Sequence, residues 1–355
     1  MVGGIMGVKV AVNGYGTIGK RIADAVLRVK DFELVGVAKY TVDYSALLAH
    51  RNGIRIFTPR EKFAEFRNAG VEPEGTVEDL VDGADIVYDA SPGKQGAKNK
   101  ELYVRYNKPA VFQGGESPEV AGLSYSTLCN YEAAIGKKYV RVVSCNTTGM
   151  LRIICSIGTG QLDSVFAVIV RRASDPREDH RGPVSSIALD SSTIPSHHAL
   201  DVKTVVGDVS IETVALVVPT TLMHMQVMNV KLKKPLSTDE LAGLLRSSGR
   251  ILVLDSTLLK IDSTGKIVEL SRDANRPRYD IYENVVFSNM VKLAKEAFTL
   301  VQAIHQEAIV IPENLDVAYA MMNLETDPLK VVKKVNEALG IGALQGIIPS
   351  EAKAS

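Results

Sequence analysis

The sequence predicts an α/β protein in two parts: a doubly wound, parallel-sheet domain at the N-terminus, then an α+β domain with a mostly antiparallel sheet. Three observations carry this. The first third of the chain alternates strand and helix. A glycine-rich turn joins the first strand to the first helix. The middle third holds long β-rich segments without a helix between every pair, the pattern of antiparallel pairing.

The elements follow in order. Gly7 to Asn13 reads as a buried strand. Thr17 to Lys30 has helical spacing, with Ile18, Ile22, Ala25, Val26 and Val29 on one face. Phe32 to Ala38 is a second strand and Ala84 to Asp89 another, after a short helix near Thr76, where Thr76 and Asp79 have capping-box spacing. A helix from Lys94 to Tyr106 leads to the strand Pro109 to Phe112. Strand, helix, strand in this sequence implies right-handed crossovers and a parallel sheet. Asp163 to Arg172, Asp208 to Val218 and His224 to Leu232 are the β-rich segments, and Pro312 to Ala338 returns to helix. The tail Pro349 to Ser355 reads as frayed.

The bulk numbers exclude several classes. With 355 residues, 46% hydrophobic and 23% charged, the chain is long enough to bury a core without disulfides or metals. Lys plus Arg and Asp plus Glu both number 41, so no overall field draws the protein to nucleic acid or an anionic membrane. No apolar run reaches the roughly 20 residues of a membrane span, and Met1 to Met6 lacks the features of a signal peptide. The chain has three cysteines, read here as reduced thiols in a cytoplasmic protein.

Gly14-Tyr15-Gly16-Thr17-Ile18-Gly19 is a G-x-G-x-x-G between strand and helix, the context in which that pattern marks a Rossmann dinucleotide site. Gly14 allows the tight turn, Gly16 lets backbone approach a pyrophosphate, and Gly19 lets helix and strand pack closely. Where NAD-specific folds carry an acidic residue at the end of the second strand, Lys39 stands here. An ammonium attracts a 2′-phosphate, so NADP is expected to be accepted and preferred over NAD. The competing reading leaves Lys39 in solvent and has Asp43 bind the ribose.

Val142-Val143-Ser144-Cys145-Asn146-Thr147-Thr148-Gly149 runs from a strand end into a helix. A thiol at a helix N-terminus is favoured as thiolate, which makes Cys145 a candidate nucleophile; Cys129 and Cys155 read as core residues. A base is needed. Of His50, His180, His197, His198, His224 and His305, spacing alone leaves His224 and the His197-His198 pair in contention. On a strand, His224 and Gln226 share one face opposite a core face of Met223 and Met225. No metal site is expected: C-x-x-C and H-E-x-x-H are lacking, and adjacent histidines on a strand face apart.

These pieces resemble the archaeal-type, phosphorylating glyceraldehyde-3-phosphate dehydrogenases. The resemblance runs through Asn13 to Arg21, Phe112 to Glu116, Ser144 to Gly149, Arg171 to Pro176, Thr220 to His224 and Gln306 to Asn314. It implies oxidation of glyceraldehyde 3-phosphate with inorganic phosphate to 1,3-bisphosphoglycerate, reversibly, in glycolysis and gluconeogenesis, through a thioester on Cys145 with His224 as base. It further implies that Thr17 and Ile18 touch the cofactor phosphates, Gly115 the nicotinamide half, and Arg172 and Gln306 the nicotinamide region. Ser144, Cys145 and Asn146 would contact the aldehyde end, and His197 and His198 the substrate phosphate. Arg171, Arg172, Thr147 and Thr148 are candidates to hold phosphates, and which arginine and which of Gln302 and Gln306 takes the family position stays open. A homotetramer is implied, with residues 1–143 as the dinucleotide domain, completed by helices in 312–355, and 144–311 as the catalytic domain. The rival enzyme is a semialdehyde or acyl-phosphate reductase. The rival outside enzymes is a nucleotide-sensing or RNA-binding module, against which the charge balance and the lack of Trp speak.

Overall fold

The computed structural model describes residues 7–175 and 182–348. The first six residues, His180, Pro176 of the Arg171-to-Pro176 segment and the tail from Pro349 on lie outside the described residues. The chain forms two compact units. One holds the residues up to Thr127, Tyr131–Val143 and Ile311–Leu339; the other holds Leu128–Asn130, Ser144–Val310 and the chain from Gly340 on.

In the first unit, β1 (Val8–Asn13), β2 (Phe32–Ala38), β3 (Ile56–Phe57), β4 (Ile86–Asp89), β5 (Ala110–Phe112), β6 (Ser124–Tyr125) and β7 (Tyr139–Val142) form one sheet in the order β3-β2-β1-β4-β5-β7-β6. Every pairing is parallel. Helices α1 (Thr17–Val26), α2 (Tyr44–Arg51), α3 (Phe63–Asn68), α4 (Val77–Asp82) and α5 (Gly96–Arg105) connect the strands, and the one-turn α6 (Thr127–Asn130) spans the division between the units. Strand order reverses between β1 and β4, the switch point where such sheets bind ligands. Thr76 and Asp79 cap α4 reciprocally. Helix α1 is shorter than its apolar spacing predicts: after Val26 the amides of Arg28 and Val29 bond three residues back, tightening the chain toward β2, with Val29 still buried.

The second unit is built on β8 (Leu162–Arg172), β9 (Ala188–Leu189), β10 (Ile211–Val218), β11 (His224–Leu232), β12 (Ile251–Leu254), β13 (Asn284–Phe287), β14 (Lys292–Ala294) and β15 (Ala297–Ile304). Their order is β12-β13-β15-β11-β8-β10-β9, with β14 also on β15. Five pairings are antiparallel. Two, β8 with β10 and β12 with β13, are parallel, each reached through a helix: α8 (His197–Val206) in the first case, α10 (Thr264–Asp273) in the second. Helix α7 (Cys145–Ile157) lies against β8, β15, α8 and α9 (Thr238–Ser247).

The chain then returns to the first unit as α11 (Val310–Met321) and α12 (Pro328–Leu339), while α13 (Ala343–Ile347) clusters with the second. Pro312 sits in the first turn of α11 and Pro328 opens α12, where a missing N–H costs nothing.

The reading of three reduced thiols is corrected. Cys129 and Cys155, both in the second unit, form a disulfide with Cα atoms 5.4 Å apart, and Cys145 is the free cysteine. Cys145 and Cys155 do share α7, too far apart along the helix to bond. The partner came from a separate turn 26 residues before Cys155, a contact no local pattern encodes.

Candidate active site

In the first unit the glycine turn follows β1 at the switch point. Gly14 has φ of +104°, and a Cβ there would meet the Ala90 carbonyl oxygen, in the turn after β4, at 2.6 Å. A Cβ on Gly19 would lie 1.8 Å from the Gly14 oxygen, whereas one on Gly16 would meet nothing within 4 Å. Two glycines thus close the turn and the third leaves its outer surface open. Helix α1 begins at Thr17 and Ile18 with Gly16 as N-cap, no side-chain cap and no acidic residue in its first turn, so its N–H groups and dipole are available to an anion. The turns after β4 and β5 meet at Gly93 and Gly115, where a Gly115 Cβ would sit 3.8 Å from Gly93 Cα.

Lys39 follows β2 and is buried, its ammonium 2.9 Å from Asp43. Asp43 also caps α2, accepting from the amides of Ser45 and Ala46 and from the Ser45 hydroxyl. Burial opposes its charge, but Lys39 and these donors hold its carboxyl well below the usual range. A cleft of about 660 Å³ opens beside Tyr40, lined also by Arg60, Thr76, Asn99 and Leu102. A polar chain with no local sequence signal runs inward from the exposed Tyr40, which donates to the buried Asn13; Asn13 donates to Tyr103 and Tyr103 to Asp89. Its members come from four elements or their ends, so only the sheet aligns them.

In the second unit Cys145 is the first residue of α7, with Ser144 as an N-cap that makes no side-chain cap bond. Burial pushes the thiol up to about 11, against the lowering expected from the helix start; the Arg171 and Arg172 charges and the Asn146 N–H pull the other way. The helix end is present, but the surrounding protein outweighs it.

Arg172, at the end of β8, uses four of its five guanidinium donors. Its guanidinium donates to Gln306 at 2.6 Å, Glu307 at 2.6 Å, the Thr221 carbonyl at 3.0 Å, and Asp175. Arg171 is partly exposed and holds Asp190, while its buried Nε has no partner among the described residues. The two arginines therefore differ: Arg172 is a structural hub and Arg171 keeps a donor. Gln306 stands beside Arg172, whereas Gln302 is fully buried among other amides.

His224 opens β11. Its Nδ1 accepts from the Arg172 amide at 3.0 Å, so the neutral ring carries its proton on Nε2. That Nε2 is buried without a partner among the described residues. Burial, then the Arg172 and Arg171 charges, push the imidazole well below its usual range. Alternation along β11 holds, but His224 and Gln226 form the more buried face; Met225 is only partly buried and Val227 is 37% exposed.

His197 and His198 lie on no strand. They open α8, their ring centroids 3.9 Å apart. His197 is exposed; His198 is buried, bonded to Ser196, and burial with the neighbouring His197 and Arg171 charges pushes it down to about 3. With Asp190 they bring three ligand-type atoms within 4.8 Å of one another; Arg171 holds Oδ1 of that carboxylate, while its buried Oδ2 has no hydrogen-bond partner among the described residues. Thr147 donates its hydroxyl proton to Asp201 at 2.7 Å and accepts from Ser144, so it has no hydroxyl proton left for a phosphate. Thr148 is fully buried.

The family model for the C-terminal domain of glyceraldehyde 3-phosphate dehydrogenase matches residues 144–294. The glyceraldehyde-3-phosphate dehydrogenase of Saccharolobus solfataricus is 46% identical over 337 residues, covering 94% of this chain and 98% of the relative. That of Hyperthermus butylicus is 47% identical over 343 residues, covering 96% and 99%. At this identity and coverage, and with a glycine cradle in one unit and a free thiol at a helix start in the other, the chain belongs to the glyceraldehyde-3-phosphate dehydrogenase family.

Proposed function

We propose that the protein oxidises glyceraldehyde 3-phosphate to 1,3-bisphosphoglycerate, with inorganic phosphate as second substrate, a nicotinamide dinucleotide as hydride acceptor and Cys145 as covalent nucleophile. The observation that carries the reading is the surroundings of the one free thiol. Arg171 and Arg172 act on both Cys145 and His224, and two buried donors, Arg171 Nε and His224 Nε2, have no partner among the described residues. Unpaired buried donors are costly, and an aldehyde oxygen and a phosphate are acceptors.

The thiol proton leaves to solvent, helped by Arg171, Arg172 and the Asn146 N–H. The thiolate adds to the aldehyde carbon, and the carbonyl electrons move to oxygen. His224 Nε2–H and the α7 amides hold that oxyanion. When bound, the nicotinamide supplies the acceptor for the hydride that departs as the carbonyl re-forms. The resulting thioester on Cys145 is attacked by inorganic phosphate, the C–S bond breaks, and the thiolate is regenerated. The resemblance makes His224 a base, but the bond to its Nδ1 supports a donor's role. Arg171 and His197, both partly or largely exposed, are assigned to the phosphates, Ser144 and Asn146 to the aldehyde end, and Gln306, set by Arg172, with Gly115 to the nicotinamide side.

The glycine cradle and the open start of α1 fit a pyrophosphate. We assign NADP as preferred over NAD: Lys39 has three donors and gives one to Asp43, while Asp43 is engaged by its cap and offers no free carboxylate to a ribose. Exposed Val184, Ile187, Leu189, Ile194 and Leu200 form an apolar stretch suited to subunit contact, which supports a homotetramer; a solution mass near the 38.4 kDa of one chain would refute it. Phosphorylated substrates, which do not cross membranes unaided, support a cytoplasmic location.

Phosphate-dependent reduction of NADP and NAD with glyceraldehyde 3-phosphate tests the reading. Wild type should turn over, and show a burst of reduced cofactor when phosphate is withheld. Cys145→Ser should lose at least roughly a thousandfold. Turnover of β-aspartyl semialdehyde but not of glyceraldehyde 3-phosphate would overturn it.

A further inference from the structure

The first turn of α7 is gripped by a chain of buried amides that takes no part in the reaction steps above. Gln226 on β11 donates its Nε2–H to both the backbone oxygen and Oδ1 of Asn146, each at 3.0 Å. Gln302 on β15, directly opposite Gln226 in the strand register, donates to Gln226 Oε1 at 2.8 Å and to the Gly149 carbonyl at 3.3 Å. Asn284, first residue of β13, donates to Gln302 Oε1 and to the same Gly149 carbonyl, both at 2.8 Å. All three side chains are fully buried.

Two features set this chain apart from routine satisfaction of polar groups. Apolar side chains of similar shape could fill these positions without the desolvation that amides bring. The chain also has a direction: Gln226 and Gln302 each accept from the next strand out, Asn284 accepts from the buried Arg152 guanidinium of α7 at 3.4 Å, and all three donate toward α7, so the dipoles reinforce one another. It ends on Asn146, next to Cys145 in the first turn of α7, where backbone N–H groups have no intrahelical acceptor; against the burial that raises the thiol, the Asn146 N–H is one of the groups that lower it. Helix and sheet are held close at this point, since a Cβ on Gly149 would lie 2.6 Å from Ile304 Cδ1. The charged groups acting on the sulfur, Arg171 and Arg172 from β8 and Glu307 after β15, and the neighbouring His224, stand outside the chain.

We propose that Gln226, Gln302 and Asn284 are positioning residues: by fixing Asn146 at its carbonyl and side chain, they aim its N–H at Cys145 Sγ and so govern how readily the thiolate forms. The proposal rests on Cys145 being the nucleophile.

The test is alkylation of Cys145 by iodoacetamide, followed by mass spectrometry across pH. The other two cysteines are bonded to each other, so the signal is specific, and neither substrate nor cofactor is needed. Gln226→Met, close in length and without the amide, should alkylate about tenfold more slowly at fixed pH below the thiol's titration, its profile displaced to alkaline pH. Gln302→Met should have a smaller effect of the same sign, and the double variant should equal Gln226→Met. Unchanged rate and pH profile in folded Gln226→Met, even with lowered thermal stability, would overturn the proposal. If that variant does not fold, Gln302→Met carries the same decision: a displaced profile supports the proposal and an unmoved one refutes it. Catalytic inertness of Cys145→Ser is a separate readout, so failure of the functional reading and failure of this one remain distinguishable.

Discussion

The two functional regions are built in opposite ways. The cradle in the first unit is local: Gly14, Gly16 and Gly19 lie within six consecutive residues, and each is decided by the space around one Cα. The thiol site in the second unit is assembled from Cys145, Arg171, Arg172, His224 and Gln306, spread over more than 160 positions of the sequence, with Arg172 hydrogen-bonded to both His224 and Gln306. A local site fails one residue at a time, for reasons of volume. An assembled site fails through its connections, because side chains sharing partners are coupled.

The largest effect expected in the cradle separates volume from ligand contact. Gly19→Ala forces a Cβ into the Gly14 backbone oxygen and should destabilise by about 3 kcal/mol, seen as a lowered midpoint in denaturant unfolding. Gly16→Ala should leave that midpoint unchanged, since no atom stands within 4 Å, yet weaken cofactor binding by about tenfold or more through loss of close backbone approach. Equal loss of stability in the two variants would break the distinction.

Next comes electrostatics at the thiol. Only thiolate is alkylated, and burial sets the thiol up to about 11. The iodoacetamide rate on the free protein should therefore rise about tenfold per pH unit from about pH 7 and level off near 11. A plateau below about pH 7 would mean that the helix start and the arginines outweigh burial after all.

The smallest effect concerns Lys39. Lys39→Ala should weaken NADP binding by about tenfold and leave NAD binding nearly unchanged, measured as dissociation constants by calorimetry. Equal changes for both cofactors would remove Lys39 from 2′-phosphate recognition.

Legibility followed the same division. The glycine motif, the Thr76–Asp79 capping box, the helix-opening prolines and the start of α7 near Cys145 all depend on residues within a few positions, so pattern and propensity reach them. The Cys129–Cys155 bond, the parallel pairing of β8 with β10, and the burial that raises the Cys145 thiol depend on the packing of distant segments. The argument that adjacent histidines face apart holds on a strand; His197 and His198 instead open a helix, because Ser196 and the β8–β10 crossover set the chain there. The alternation of His224 with Gln226 was legible; which face is buried was not, since that depends on where α7 lies. Gln302 stood out only as one of two candidate glutamines, and Asn284 gave no signal.

By itself, the sequence determined the class of the fold, the cradle and the identity of the thiol, because a tight turn, a helix start and a free N–H are properties of neighbouring residues. The tertiary structure alone decided which arginine keeps a free donor, which histidine nitrogen carries the proton and what holds Asn146, because each turns on hydrogen-bond partners from other elements of the sheet.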